Sequence, residues 1–335
     1  MILHPGVLAL LVGSCIVFLM MLYGGWIALK VLKRWDFDSS SAEQLALERE
    51  TYLASTFARF ALGFQIASAL LFLFTVDDIH ELFVGAMCAT GSLNANPVGW
   101  SVLVIKMVVL VVAPIWIVAD HLDRRAGDFP IISKKSLALL ALVPLMGADL
   151  ALQVLYFIGL DPEIITSCCG ALFSESGSTL ASEVASLPVR PMLFAFYSVV
   201  GLFLAVGVAC LVSVSRFLRY LLAGLSLVIL VVSLASVVSF LSLYVYELPT
   251  HHCPFDMLQG QYNFIGYPIY LFLFAAVFFG LLPGIFRPLR RLPSLTDLIA
   301  DSEVTWLVAG VISMVAFVSV ASWKVIFGAL TMVGY

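Results

Sequence analysis

Long apolar runs fill most of this 335-residue sequence. A helix that crosses the hydrocarbon core of a bilayer, which is about 30 Å thick, needs about 20 apolar residues in succession. Because backbone polar groups in lipid must be satisfied within the segment itself, each such run is predicted to be a helix. Eight runs qualify: about 7–29, 56–76, 100–119, 137–159, 192–214, 221–246, 268–286 and 304–327. The predicted fold is therefore an all-α integral membrane protein with eight transmembrane helices, a single polytopic domain over residues 1–335.

The composition excludes the classes of protein that work in water. Hydrophobic residues make up 62% of the chain and charged residues only 11%, whereas ordinary soluble domains carry about 25% charged residues. A soluble enzyme, a disordered protein and a nucleic-acid binder are set aside on this basis. The lipid bilayer is the expected partner, and nucleic acid is not. Walker A, G-x-G-x-x-G, H-E-x-x-H and C-x-x-C-H patterns are also absent.

The lysines and arginines predict the orientation of the chain. Cytoplasmic loops carry an excess of these residues, and thirteen of the 17 follow the first, third, fifth and seventh runs. These thirteen are Lys30, Lys33, Arg34, Arg49, Arg124, Arg125, Lys134, Lys135, Arg216, Arg219, Arg287, Arg290 and Arg291. We therefore expect the N- and C-termini on the extracytoplasmic side of a plasma (inner) membrane.

Three long connections lie on the predicted outer side, over residues 77–99, 160–191 and 247–267. Each is shorter than the roughly 50 residues of a small soluble domain. On the inner side, residues 39–57 are predicted to form a juxtamembrane helix, with Ser40 and Glu43 as a capping box. Chemistry outside the bilayer is therefore expected in the three outer loops.

Cysteine and histidine residues are concentrated in these outer loops. Cys88, Cys168, Cys169 and Cys253 all lie there, and His251-His252 immediately precedes Cys253. Three interpretations of this group stay open: structural disulfides, redox-active thiols and a metal site. In the first, the chain is a chemically passive scaffold subunit that associates with other membrane subunits.

Structural disulfides are the simplest interpretation, because cysteines outside the cytoplasm tend to pair. Four cysteines allow three connectivities. The scheme that joins the adjacent Cys168 and Cys169 requires a strained ring. The remaining schemes link Cys88 to one member of this pair and Cys253 to the other, which would connect all three outer loops.

A redox centre is the leading functional hypothesis. In this interpretation Cys253, Cys168 and Cys169 exchange disulfides with an extracytoplasmic redox protein, and Cys88 is resolving or structural. His251 or His252 would favour the thiolate, which is the reactive form. The reaction is similar to that of membrane proteins of the DsbB and vitamin K epoxide reductase types, which pass electrons between outer cysteines and quinone. The similarity is one of mechanism only, because this chain has no C-x-x-C and has about twice their number of spans.

The same segment supports a second hypothesis, the binding or transport of a soft metal such as copper. Imidazole and thiolate are the usual ligands of zinc and copper, and methionine adds a third soft ligand. His251, His252, Cys253 and Met257 are the candidate ligands, and the expected partner is a metal-carrying protein outside the cytoplasm.

Ionisable residues inside the predicted spans form a second candidate site. Such residues are costly in lipid and suggest a function with a named partner. Lys106 and Asp149 are predicted to form an ion pair, and Gln153 lies four residues after Asp149 on the same helix face. These three residues are candidates for carrying protons or binding a quinone headgroup. The alternatives are an ion pair that only fixes helix packing, or a lysine that extends toward the interface.

Overall fold

The computed structural model describes residues 2–37, 39, 41–161, 163–166 and 180–330, and helices are labelled in chain order within these ranges. The α-helices are α1 (Pro5–Arg34), α2 (Ala42–Asp78), α3 (Ala89–Asn94), α4 (Gly99–Ala126), α5 (Ile132–Ile158), α6 (Leu180–Ala185), α7 (Val189–Val212), α8 (Arg216–Ser236), α9 (Ser242–Tyr246), α10 (Gly266–Phe286) and α11 (Pro293–Phe327). A π-helical segment, Val237–Leu241, joins α8 to α9. Short 3-10 helices cover Ile79–Leu82, Asp256–Leu258, Gly260–Tyr262 and Arg287–Arg291.

Within these ranges, eight helices are long and apolar enough to cross a membrane. They are α1, α2, α4, α5, α7, the continuous α8–α9 segment, α10 and α11. The prediction of a multi-pass helical membrane protein is thereby confirmed. Most helix ends agree with the apolar runs to within a few residues, but α11 begins at Pro293 and α2 at Ala42, well before their apolar runs.

The juxtamembrane helix predicted over residues 39–57 is confirmed from Ala42 onward, but it is continuous with the second span, because α2 runs without a break from Ala42 to Asp78. Its first half contains good helix formers and neither proline nor glycine, so nothing ends the helix before the apolar run. Ser41 caps the helix, because its Oγ accepts the Gln44 N–H at 3.2 Å. Gln44 Oε1 accepts the Asp36 N–H at 3.3 Å and not the Ser41 N–H, so the reciprocal bond of a capping box is not formed by this pair. Ser40 lies outside the described residues.

The chain divides into two compact units. The first comprises Met1–Val76, Leu93–Pro162 and Leu292–Leu298, and the second comprises Asp77–Ser92, Glu163–Arg291 and Ile299–Tyr335. The core of the first unit contains large apolar side chains from α1, α2, α4 and α5 together with small residues such as Ala58, Ala61 and Ala113. Small residues let membrane helices approach closely, which accounts for their place at these contacts.

Small residues also bring α8 and α10 together in the second unit. A Cβ atom added to Gly280 would lie 2.3 Å from Ser226 Oγ, and one added to Gly284 would lie 2.5 Å from the Ala223 Cβ. A larger residue at Gly284 would displace α8, because the Arg219 carbonyl oxygen also lies 3.0 Å from the added Cβ, whereas one at Gly280 would displace the Ser226 and Phe203 side chains. This close contact holds α8 and α10 against each other. The segment that carries Cys253 connects these two helices.

Candidate functional site

The second unit contains a buried group of reactive side chains, which we call the thiol cluster: Cys88, Thr90, Cys253 and Asp256. Cys88 directly precedes α3, and Cys253 lies between α9 and the 3-10 helix Asp256–Leu258. Their Sγ atoms are 3.4 Å apart, and both cysteines are 0% exposed. Thr90 Oγ1 lies 3.5 Å from Cys253 Sγ. Two loops far apart in sequence thus place two sulfurs in contact.

Asp256 adds a carboxylate to the cluster. The Sγ atoms of Cys88 and Cys253 and a carboxylate oxygen of Asp256 all lie within 4.8 Å of one another. Asp256 Oδ2 is also hydrogen-bonded to His251 Nε2. Burial raises the pKa of Asp256, but hydrogen bonds from His251 and from the two cysteines outweigh burial and hold the pKa below its usual range. Asp256 is therefore an ionised hydrogen-bond acceptor beside two sulfurs.

Hydrogen bonds from Asp77 and Gln259 hold the Cys88 loop in place. Asp77 Oδ1 accepts the Ala89 N–H at 3.1 Å and so binds the first residue of α3. Gln259 Nε2 donates to Met87 O at 3.0 Å and to Asp77 Oδ1 at 3.4 Å. The residues on both sides of the Cys88 sulfur are thus tied to the segment that follows Cys253.

Two tyrosines hold the backbone around Cys253. Tyr246 Oη donates to Cys253 O at 2.5 Å and accepts the Met257 N–H at 2.9 Å. Tyr270 Oη donates to Pro254 O at 2.7 Å. Because backbone groups in a buried loop need partners, these bonds account for an ordered loop at a position where no regular helix supplies them.

The predicted residues of this site are placed as follows. Cys88 and Cys253 meet each other, which is the pairing that the argument from four mutually paired cysteines had set aside. That argument required every cysteine to pair with another of the four, whereas loop contacts decide which sulfurs meet. Cys168 and Cys169 lie outside the described residues.

The histidines and Met257 have separate positions. His251 contacts the cluster through Asp256. His252 lies outside the group of three ligand atoms, and its Nδ1 hydrogen-bonds to Val238 O at 2.9 Å, in the π-helical segment. Met257 is buried, on the 3-10 helix that begins at Asp256. Thr90 was not identified from the sequence, and Asp256 was given no role in the cluster. The position of Asp256 three residues after Cys253 could have indicated it.

A segment of the 160–191 loop also lies against the Cys88 loop. The Thr166 N–H donates to Val84 O at 3.1 Å, and Val84 and Ile165 form an isolated parallel bridge. Thr166 precedes Cys168 by two residues. The chain that leads to the adjacent cysteines therefore contacts the loop that carries Cys88.

The first unit contains the second candidate site, a polar network buried among apolar helices. Lys106 Nζ lies 2.9 Å from Asp149 Oδ2, 3.1 Å from Gln65 Oε1 and 2.8 Å from Ser68 Oγ. The predicted contact of Lys106 with Asp149 is confirmed. Gln153 Nε2 donates to Asp149 Oδ2 at 2.8 Å and to Ser14 Oγ at 3.0 Å.

Gln65, Ser68 and Ser14 belong to this network and were not identified from the sequence. Gln65 and Ser68 lie three residues apart on α2, so they share a helix face. A glutamine within an apolar run was the available signal. Nothing in the sequence shows that α2 faces α4 and α5.

The fold defines a multi-pass helical membrane protein, and the two buried polar groups are its candidate sites. No known protein family, curated protein or solved structure matches this chain. Functional inference therefore depends on the geometry of the two groups.

Proposed function

We propose that Cys88 and Cys253 form a thiol–disulfide couple that exchanges electrons with the thiols or disulfide of a partner protein. The observation that carries this proposal is the 3.4 Å contact between the two Sγ atoms. A disulfide bond has an S–S length of about 2.05 Å, so a small movement of the two loops forms it. Burial protects the pair from unrelated oxidants, because thiol reactivity requires access.

The proposed exchange transfers two electrons and two protons. The dithiol of Cys88 and Cys253 gives two electrons and two protons to a partner disulfide, which becomes a dithiol, while an S–S bond forms between the two cysteines. Asp256, which hydrogen-bonds to both cysteines, is the proposed acceptor for the first thiol proton. His251 takes part by hydrogen bonding to Asp256, and its side chain is 29% exposed, against 9% for Asp256. The Asp256–His251 pair thus connects the buried sulfurs to solvent.

We assign the thiol cluster to the extracytoplasmic side of a plasma membrane. The thirteen cations that follow alternate spans support this orientation. Disulfides persist in oxidising compartments and are rare in the cytosol. The proposed partner is therefore an extracytoplasmic redox protein.

Cys168 and Cys169 are the proposed route between the buried couple and the partner. The contact of Thr166 with Val84 supports this role, because it brings the chain two residues before Cys168 to the Cys88 loop.

A quinone at the Lys106 network is less well supported. All three described polar contacts of Lys106 Nζ lie inside the network, so a quinone carbonyl would find no spare donor there.

The proposal predicts a reversible two-electron transition of Cys88 and Cys253. Purified protein is equilibrated in thiol–disulfide buffers of stepped potential, denatured and labelled with a mass-tagged maleimide. We expect two thiols to disappear together, with a midpoint above about −300 mV, because structural disulfides of secreted proteins have potentials below that value. Mass spectrometry of the labelled chain counts the thiols at each potential.

Matched variants assign this transition. Cys88→Ser and Cys253→Ser should each abolish it, whereas Cys15→Ser with Cys210→Ser, which removes two cysteines within the helices, should leave the midpoint unchanged. A midpoint below about −300 mV would instead identify a structural disulfide and favour the scaffold interpretation. A transition that survives in Cys88→Ser would reject this couple.

A metal site is the second candidate, favoured by the three potential ligand atoms of Cys88, Cys253 and Asp256 within 4.8 Å of one another. Two thiolates and a carboxylate are ligands that zinc accepts, while Cu(I) prefers the thiolates alone. His251 would orient the carboxylate, as outer hydrogen-bond partners of metal ligands do. Of the ligand set predicted from the sequence, this group keeps Cys253, adds Cys88 and Asp256, and gives His251 a supporting role through Asp256.

Metal titration of the reduced protein separates the two ligand sets. If the site binds metal, one Zn²⁺ is expected per chain in competition with a chromophoric chelator, and the ion should be lost in Cys88→Ser with Cys253→Ser. Asp256→Ala should weaken Zn²⁺ binding by about 10-fold or more, and Cu(I) binding much less, since the carboxylate is a hard ligand. His252→Ala serves as the control and should leave both metals bound; equal loss in this variant would favour the ligand set read from the sequence.

A further inference from the structure

The hydrogen bonds of the Lys106–Asp149 network leave two acceptors without a donor. Asp149 Oδ2 accepts from Lys106 Nζ, Gln65 Nε2 and Gln153 Nε2, at 2.9, 3.1 and 2.8 Å. Asp149 Oδ1 and Gln153 Oε1 are both buried and have no hydrogen-bond partner in the structure. Buried polar groups nearly always have a partner, so each exception calls for an explanation.

The orientations of the two amides are fixed by their neighbours. Gln65 Oε1 accepts hydrogen bonds from Lys106 Nζ and Ser68 Oγ, while its Nε2 donates to Asp149. Turning the amide of Gln153 would place its oxygen against Asp149 Oδ2 and its nitrogen where the oxygen now lies. The orientations of the Gln65 and Gln153 amides therefore agree with their hydrogen bonds. The two atoms without a partner, Asp149 Oδ1 and Gln153 Oε1, are both acceptors and lie on α5, four residues apart.

A proton on Asp149 Oδ1 that is donated to Gln153 Oε1 would satisfy both atoms at once. Gln153 Nε2 would continue to donate to Asp149 Oδ2. This is the two-bond ring that a carboxylic acid forms with a primary amide. Lys106, Asp149 and Gln153 are at most 1% exposed, and a proton is the one donor that needs no added volume.

Lys106 sets the charge balance of this arrangement. Among the described contacts of Asp149 from α2, α4 and α5, Lys106 is the only titratable group. An ion pair buries two charges, each of which carries a desolvation cost, whereas a neutral pair buries none. As a neutral amine, Lys106 donates to Gln65 Oε1 and Asp149 Oδ2. The Ser68 hydroxyl, 2.8 Å away, then turns from Gln65 Oε1 and donates its single hydrogen to the amine lone pair.

We propose that Lys106 and Asp149 form a neutral pair in which Asp149 binds a proton at Oδ1 and Gln153 Oε1 holds it. The Nζ–H bond of Lys106 is exchanged for an O–H bond on Asp149, so the net charge stays zero and no electron moves. The network is then a proton-binding site inside the bilayer. This site is independent of the thiol cluster.

Infrared spectroscopy of the protein in lipid vesicles at neutral pH tests the proposal. A carbonyl stretching band of a protonated carboxylic acid is expected, with a shift in D₂O. Asp149→Asn should abolish it, and Gln153→Met, which removes the acceptor, should move it to higher frequency. The exposed Asp297→Asn should leave it unchanged.

The opposing results are equally specific. Absence of a protonated carboxylic acid band from the folded wild-type protein at neutral pH would overturn the proposal and leave an ion pair. A band that neither Asp149→Asn nor Gln153→Met alters would do the same. If Asp149→Asn fails to fold, the Gln153→Met shift decides the assignment, with Lys106→Met as a reference in which an isolated Asp149 is protonated.

Discussion

Replacing Lys135 with methionine is expected to lower the free energy of unfolding by about 3–5 kcal/mol, the usual cost of removing one partner from a buried ion pair. Lys135 Nζ lies 2.9 Å from Asp120 Oδ1 and 2.7 Å from Asp123 Oδ2. Both carboxylates are fully buried. Methionine retains an apolar stem of similar length but leaves Asp123 without this cation. Equilibrium unfolding of the purified protein in detergent micelles measures the difference.

The neighbouring Lys134 provides a matched control. It is exposed on the same helix, so Lys134→Met is expected to change stability by no more than about 0.5 kcal/mol. Combining Lys135→Met with Asp123→Asn should recover much of the loss, because asparagine is uncharged and its Oδ1 can still accept the Ile131 N–H, now bonded at 3.0 Å. Equal stability of Lys135→Met and Lys134→Met would show that the buried pair contributes little.

Asp120 distinguishes this cluster from a simple pair. It also contacts Arg124 Nε at 3.2 Å and Arg59 Nε at 3.9 Å, so it keeps two cations when Lys135 is replaced. The loss in Lys135→Met is therefore expected to arise mainly at Asp123. This is why the compensating change is placed at Asp123 and not at Asp120.

The same cations show what sequence reasoning can and cannot extract. Lys135 and Arg219 were counted as loop charges that mark the cytoplasmic side, yet both are buried in ion pairs. Their position near helix ends is evident from the sequence. The acids that bind them, Asp120, Asp123 and Glu303, are not, because side chains at the ends of different helices meet only through tertiary packing.

The helices could be predicted because the physical requirement is local. An apolar run of sufficient length must form a helix in lipid wherever the rest of the chain lies. Helix ends are less predictable, since α2 and α11 continue beyond the apolar run into polar sequence that still favours a helix. Lipid thickness sets the apolar run, whereas helix propensity and capping set where the helix begins and ends.

The thiol cluster illustrates the opposite case. That Cys88 and Cys253 are candidates follows from residue type and predicted side of the membrane. That they meet each other depends on Asp77 and Gln259, which bind the two loops together. Neither Asp77 nor Gln259 belongs to a recognisable sequence motif. Contacts of this kind between loops therefore cannot be predicted from a single sequence.

Replacing Glu303 with glutamine is expected to destabilise the protein by about 3–5 kcal/mol, because it leaves a buried guanidinium without its counter-ion. Arg219 Nε donates to Glu303 Oε1, and the two side chains are 5% and 3% exposed. Arg219 also donates to Ser213 O at 2.8 Å and to Ser215 O at 2.9 Å, so it connects the end of α7 to the start of α8. Arginine stays charged in proteins, so the strain cannot be relieved by loss of a proton.

Arg290 provides the control for the Glu303→Gln prediction, because it contacts the same carboxylate from a more exposed position. Its Nη1 atom lies 3.4 Å from Glu303 Oε2, and 22% of its side chain is exposed. Arg290→Met is therefore expected to cost no more than about 1 kcal/mol. The double variant Arg219→Leu with Glu303→Leu should be more stable than Glu303→Gln, since apolar residues can replace a buried ion pair with little loss. Equal free energies of unfolding of Glu303→Gln and Arg290→Met in detergent would contradict the prediction. The Glu303 carboxylate would then contribute no more than a surface ion pair, and the carbonyls of Ser213 and Ser215 would be sufficient partners for the buried Arg219.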